Sequence, residues 1–424
     1  MCPWVNAKQA TDYPETVFTT LAHHMDIDFL KEAHRRNNKK SAPGVDGVTA
    51  TQYTKNLDEN LQELHNRLRK GLYKAPPVQR VWIDKENGQK RPIGKPTYED
   101  KIVQRAVEML LSAIYETLFH DFSYGFRKGR SQHQAIHELR EKCFETRVNR
   151  IISADITGLF DNIDHRHLLE IIKQKVNDGS LLRLIGKWLN AGVMEQGTLT
   201  YPESGTPQGG SISPVLSNIF LHQVLDEWFV GQVKPRMKGR CFLIRWADDF
   251  IIGCEYAKDA DRLMQVLPKR FNRFGLTVHP EKTVVIPFKR PPLNSKKAKT
   301  GTFDFLGFSF YWAKSHRGNW VIKKKTSKKR QARFMKGVWQ WCKTKRHKPL
   351  REQQATLSAK LRGFYQYFGV TGNCEAINAV FRHVERTWRY WLSRRSHKGY
   401  ISGPKFNKIR AVYPLPKPRI LHSL

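Results

Sequence analysis

The chain has 424 residues, enough for two or three domains, and its 74 Lys and Arg against 38 Asp and Glu leave a net charge of +36. Solubility alone does not call for such an excess, which points to a polyanionic partner, most simply nucleic acid. No apolar run is long enough to span a bilayer. Met1-Cys2-Pro3-Trp4 lacks the basic-then-apolar build of a secretory signal, and six scattered cysteines without a Cys-x-x-Cys pair suit a reducing cytoplasm and argue against a zinc module or disulfide framework.

Residues 1–60 are polar and helix-leaning, and turn-rich from Ser41 to Val48. A helical pattern runs from Asn56 to Lys70, with Leu57, Leu61, Leu64 and Leu68 on one face. Val78 to Lys90 reads as two short strands joined by an Asn-Gly turn, Lys85-Glu86-Asn87-Gly88. Lys85 and Arg91 then flank a basic hairpin that suits a triphosphate, although a solvated hairpin has the same pattern. Apolar spacing from Asp100 to Phe119 describes an amphipathic core helix. The loop Ser123 to Ser131 is different. It interleaves Tyr124 and Phe126 with Arg127, Lys128 and Arg130 between glycines, which suits base stacking plus phosphate contact; a solvated basic loop has the same pattern, and the global charge favours binding.

Arg150 to Ala154 is a short apolar strand ending at Asp155, with an aromatic, Phe160, five residues on. A carboxylate there can hold a cation beside a wall for a sugar ring. His165 and His167 lack a third nitrogen or sulfur ligand nearby and read as polar residues opening a helix. Gly205 to Pro214 is a glycine- and hydroxyl-rich loop leading into an apolar helix from Val215 to Phe229, and such loops let backbone approach a ligand. Next comes Arg245-Trp246-Ala247-Asp248-Asp249-Phe250, two adjacent acids between strand-prone residues, which reads as a β-hairpin carrying the acid pair on its turn. Like charges there call for a compensating cation with oxygen ligands, unless the turn is simply solvated.

From Lys314 the character changes. Lys323, Lys324 and Lys325, then Lys328, Lys329 and Arg330, lie in a run with few acids, and helical patterns follow over Gln353 to Phe368 and Glu375 to Arg395. Trp388, Tyr390 and Trp391 sit there among Arg386, Arg389, Arg394 and Arg395, so part of the aromatic stripe is core and the basic face suits a phosphate backbone. The tail from Gly399 is rich in Pro and Lys.

In this order, from about Ala42 onward, the segments resemble the bacterial group II intron reverse transcriptases, or maturases. The blocks that carry the likeness are Arg91-Pro92-Ile93-Gly94, Tyr124-Gly125-Phe126-Arg127, Asp155 to Asp164, Gly205 to Pro214, Ala247-Asp248-Asp249, Gly275 to Thr283 and Phe305-Leu306-Gly307. Leu361-Arg362-Gly363-Phe364-Tyr365-Gln366-Tyr367 resembles the maturase-specific segment.

The resemblance implies an α+β right-hand polymerase: an extension over 1–60, fingers and palm over 61–313, a helical thumb and maturase domain over 314–395, and a basic tail over 396–424. Asp155, Asp248 and Asp249, with the Ile156 carbonyl, would hold two Mg²⁺ ions, Mn²⁺ being a substitute. Lys85 and Arg91 would grip the triphosphate, Phe160 would exclude a 2′-hydroxyl, Gln208 would line the nucleotide pocket and Lys282 would act as general acid. Arg127, Lys128, Arg130, Lys323, Lys324, Lys325, Lys328, Lys329, Arg330, Arg362, Arg394 and Arg395 would contact nucleic acid.

The implied partners are intron RNA, an RNA template with a DNA primer, dNTPs and a DNA target site, in a bacterial cytoplasm and with no membrane. Oligomeric state stays open. The implied activity is RNA-directed DNA synthesis with help to splicing. A domesticated enzyme of repair or phage defence is a second possibility, and a non-catalytic RNA-binding splicing factor a third. Two positions depart from the family pattern: Trp246 stands where Tyr is usual, and Lys95 where an apolar residue is usual. The tail carries no His/Cys cluster of the kind the family's optional endonuclease uses, so DNA cleavage is not expected.

Overall fold

The computed structural model describes residues 3–84, 90–195, 197–201, 204–205, 209–295, 300–396 and 398–423. They form helices and mostly antiparallel sheets, the α+β class, in two compact units. Residues 1–131, 154–250 and 258–284 make the first unit, and residues 132–153, 251–257 and 285–424 the second. The strands in chain order are β1 Val78–Asp84, β2 Lys90–Lys95, β3 Arg150–Asp155, β4 Val193–Glu195, β5 Thr198–Thr200, β6 Cys241–Trp246, β7 Asp249–Cys254, β8 Val284–Pro287, β9 Phe303–Phe305, β10 Phe308–Lys314 and β11 Trp320–Thr326. They form three sheets, ordered β2-β1-β4-β5, β6-β7-β3-β8 and β11-β10-β9.

In the first unit, β1 and β2 make the expected antiparallel hairpin, with Ile83 opposite Arg91. Its Asn-Gly turn, and Lys85 with it, lies outside the described residues. The helix Tyr98–Tyr115 begins two residues earlier than the apolar spacing suggests, because Thr97 caps it by accepting from the Asp100 N–H. It buries Ile102, Val103, Ala106, Leu110 and Ile114 along one face. Asp100, in its first turn, is fully buried. It accepts from Tyr73 Oη at 2.5 Å, Trp188 Nε1 at 2.6 Å and Gln104 Nε2 at 2.9 Å, and burial raises its pKa to about 6.

The second unit holds the antiparallel meander β9-β10-β11 and the helices Lys328–Lys345, Leu350–Phe368 and Cys374–Leu392. Trp388 is its buried anchor and donates to Gln353 Oε1 at 2.9 Å, while Trp339 packs on Tyr390 and Trp391. The Pro- and Lys-rich tail contains a further helix, Gly403–Val412, capped by Ser402. Among the described residues no helix is long and apolar enough to cross a membrane.

Candidate active site

The acids converge for local reasons. β6 and β7 are apolar and buried along their length, and a two-residue turn, Ala247-Asp248, joins them, so the second acid opens β7. Ala247 has φ +53, a left-handed conformation that costs an alanine about 1–2 kcal/mol. The neighbouring loop holds it there: a Cβ on Gly125 would lie 2.3 Å from Ala247 N, so only glycine allows this backbone-to-backbone approach. Phe126, next in that loop, is also left-handed at φ +59.

Asp155 ends β3 in the same unit. The chain beyond it pairs antiparallel with 277–279: Thr157 N donates to Thr277 O at 2.9 Å and His279 N to Asp155 O at 2.8 Å. Those bonds flank Ile156, so its own carbonyl points away from that neighbour, as a ligand would require. After His279 the chain folds back, Thr283 N donating to His279 O, and the Lys282 ammonium reaches the Asp155 carboxylate as an ion pair.

Asp248 is half-buried. Loss of solvent raises its pKa, the charge of Asp155 raises it further, and Arg91 and Lys282 partly offset this. These four groups are thus brought into one electrostatic site. Two carboxylates that repel each other, one already holding an ammonium as a stand-in cation, are a donor set that fits oxygen-seeking divalent ions. Asp249 is half-buried at the start of β7. Phe160, buried, meets the exposed Phe126 edge to face at 6.4 Å between ring centres.

Gln208 lies outside the described residues; the described glycines on either side of it, Gly205 and Gly209, are closely approached by backbone. A Cβ on Gly205 would fall 2.8 Å from the Phe160 and Asp161 carbonyls, and one on Gly209, at φ +119, 2.2 Å from the Gly94 carbonyl. Trp246 ends β6 half-buried, and Lys95 pairs with Gln79 at the end of β2. Nothing in the structure explains either departure.

The residues not anticipated are those that carry the turn. Arg245 is fully buried within the apolar β6 and pairs in fork geometry with buried Asp226, Nε to Oδ1 at 2.8 Å and Nη2 to Oδ2 at 2.6 Å. Its Nη1 donates to Asn218 Oδ1 at 3.1 Å and to Ala247 O at 3.3 Å, and Asn218 Nδ2 donates to Gly125 O at 2.7 Å. One guanidinium therefore fastens the helix Ser213–Leu221, the 122–125 loop and the acid turn. Arg245→Met should cost about 3–5 kcal/mol in urea unfolding, because Asp226 is left charged and buried, and Arg245→Met with Asp226→Leu should recover most of it. Additive losses in the double variant would contradict a mutual pair.

Three of the residues expected to contact nucleic acid are engaged within the fold. Arg127 is buried and donates to the His120 and Ser123 carbonyls at 2.7 Å while paired with Glu116, because its loop folds over it. Lys324 points inward from β11, where Trp320, Ile322 and Thr326 alternate with Val321, Lys323 and Lys325, and burial lowers its pKa to about 8. Arg395 donates to the Arg346 and Lys348 carbonyls at 2.6 Å, closing a helix end. Lys128, Lys325, Lys328, Lys329, Arg330, Arg362 and Arg394 are exposed, with Arg394 over the Tyr390 ring and Lys325 over Tyr311. Lys323 is half-buried, and so is Arg130, which pairs with Asp121.

An acid pair on a strained turn, facing a third carboxylate and basic groups, is equipped for phosphoryl transfer with bound cations. Residues 83–310, over half of the chain, match the family described as Reverse transcriptase (RNA-dependent DNA polymerase), and the chain belongs to that family. It is similar to Protein YkfC of Escherichia coli (strain K12), 41% identical over 253 residues that cover 55% of this chain and 66% of that protein. It is also similar to Group II intron-encoded protein LtrA of Lactococcus lactis subsp. cremoris, 38% identical over 235 residues covering 54% of this chain and 38% of that protein. An uncharacterized 91 kDa protein in cob intron of Schizosaccharomyces pombe is 35% identical over 236 residues, covering 54% and 28%. The matched stretch thus spans from 28% to 66% of these relatives' own lengths. The resemblance to group II intron reverse transcriptases is borne out.

Proposed function

We propose that this chain is an RNA-directed DNA polymerase that also binds group II intron RNA to assist splicing and mobility, in a bacterial cytoplasm. The observation that carries the reading is the convergence of Asp155 and Asp248 with Arg91 and Lys282. In this reading the first unit supplies fingers and palm, and the helices after β11 supply thumb and maturase functions.

Asp155 and Asp248, with Asp249 and the Ile156 carbonyl, would hold two Mg²⁺ ions, or Mn²⁺ in their place. When bound, the ions would supply Lewis-acid activation of a primer 3′-hydroxyl and neutralise charge on the leaving pyrophosphate. Arg91 and Lys85 bind the triphosphate of an incoming dNTP, Arg as a planar fork and Lys as a point charge. Gln208 lines the nucleotide pocket. Lys282, whose ammonium rests on Asp155, carries the proton that pyrophosphate takes up on leaving.

Phe160 closes the sugar side. Phe160→Ala is expected to lower the preference for dNTPs over rNTPs by about 10- to 100-fold, the range for a change of shape in an apolar pocket. The check is the ratio of kcat/KM for the two nucleotides, and an unchanged ratio would remove Phe160 from this role.

The function itself is tested by extending a DNA primer on an RNA template with dNTPs and Mg²⁺. Synthesis by the parent and none by Asp248→Ala supports the proposal. Intron RNA binding without synthesis in either would instead favour a splicing factor lacking chemistry.

A further inference from the structure

His120, His222 and Glu227 have no part in the chemistry above, yet their ligating atoms all lie within 4.8 Å of one another. His120 Nε2 is 2.8 Å from Glu227 Oε1, and His222 Nε2 is 3.5 Å from the same oxygen. Ligands about 2.1 Å from a tetrahedral zinc ion stand about 3.4 Å apart, and the two histidine–glutamate separations lie on either side of that value.

The backbone brings them together in an unusual way. Five residues along a regular α-helix, His222 and Glu227 would point about 140° apart. The helix Ser213–Leu221 instead widens into a π-helical turn over His222–Asp226, which rotates the i and i+5 side chains toward one face. Such turns concentrate at functional sites. His120 arrives from the loop after the helix Tyr98–Tyr115, its ring stacked on Phe122 with centres 4.9 Å apart.

The surroundings fit a bound ion as well. His222 Nδ1 is buried, makes no hydrogen bond, and faces Asp226 Oδ2 at 3.8 Å. The Asp226 carboxylate thus stands on the Nδ1 side of the ring, the side from which metal-bound imidazoles are commonly supported, while Nε2 faces Glu227. On the other side, the side chains of Glu227 and His120 are 46% and 28% exposed, which leaves a route in and room for a water as fourth ligand.

We propose that His120 Nε2, His222 Nε2 and Glu227 Oε1 form a binding site for a borderline transition-metal dication of the Zn²⁺ class. Two imidazoles and a carboxylate select such an ion over Mg²⁺, which takes oxygen ligands. The site is a clasp linked to the acid turn. It joins the 120–122 loop to the π-helical turn, and through Asp226 and Arg245 it is continuous with the Ala247 carbonyl. The cysteines held no hint of it, because its ligands come from segments far apart in the chain.

The test uses the full chain, stripped with chelator and titrated with Co²⁺ as a visible-absorbance probe, then with Zn²⁺ in competition. Expected is one high-affinity equivalent, intense four-coordinate Co²⁺ bands, and a rise in Tm with Zn²⁺. Glu227→Gln, at an exposed position and of unchanged volume, and His120→Ala should each weaken binding by at least about 10-fold. Asp248→Asn should leave it intact, which separates this site from the polymerase acids. The proposal is overturned if the parent binds no Zn²⁺ in the micromolar range, if both ligand variants bind as the parent does, or if binding is lost with Asp248→Asn instead.

Discussion

Asp248→Asn is expected to lower primer extension by about 10³-fold or more while making the metal-free protein more stable. Both effects come from one charge. Removing a preorganised electrostatic group at a phosphoryl-transfer site costs rate by about that factor, because little besides positioning and charge drives the reaction. In the folded protein the Asp248 pKa is raised by burial and by Asp155, so the charged form is disfavoured there relative to the unfolded chain. A group of this kind destabilises the fold above its folded pKa and not below its unfolded one. At neutral pH without divalent ions the asparagine variant should therefore melt higher, by about 2–4 °C per kcal/mol relieved. The gap should close as the pH falls through the raised pKa and the parent carboxyl becomes neutral. Thermal melts of both proteins from neutral to acid pH, with and without Mg²⁺, check this. A variant that melts no higher at neutral pH would show that the turn holds its charge without penalty.

RNA binding is expected to weaken by about 10³-fold or more between 50 and 200 mM salt, the loss for a protein that neutralises many phosphates. The net charge of +36 sets the expectation, and the exposed residues say where to look. Lys328 and Lys329 are solvent-facing at the start of a helix, so Lys328→Gln with Lys329→Gln should flatten the log–log slope by about one for each lysine. Arg127→Gln should leave the slope unchanged and lower Tm, because that guanidinium serves backbone carbonyls. Filter binding across a salt series distinguishes the two. Equal slopes for the lysine pair and the parent would take those lysines off the RNA.

Much of the candidate site was legible because its signals are local. Continuous apolar, strand-prone runs on both sides of Ala247-Asp248-Asp249 announce a hairpin, and a carboxylate at the end of an apolar run places Asp155 at the tip of a strand. That Lys282 belongs to the site had only the family resemblance behind it, and its pairing with Asp155 was not foreseen, since it depends on a fold-back after His279. Arg245 and Asp226 were overlooked, although each left a trace: a charge inside a stretch otherwise fit for the core. Lys324 had a readable signal in its two-residue register with Trp320 and Ile322, which a count of basic residues conceals. The π-helical turn left none, because a helix that gains a residue in one turn keeps the same apolar composition.

The bare contact between Gly125 and Ala247 has a mechanical meaning. Where two main chains touch with no side chain between them, there is no soft layer to absorb displacement. Pressure from a stacked base or sugar on the exposed Phe126 ring would pass directly into the peptide next to Asp248. A displacement of the aromatic loop should therefore be carried into the acid tip with little lost between them.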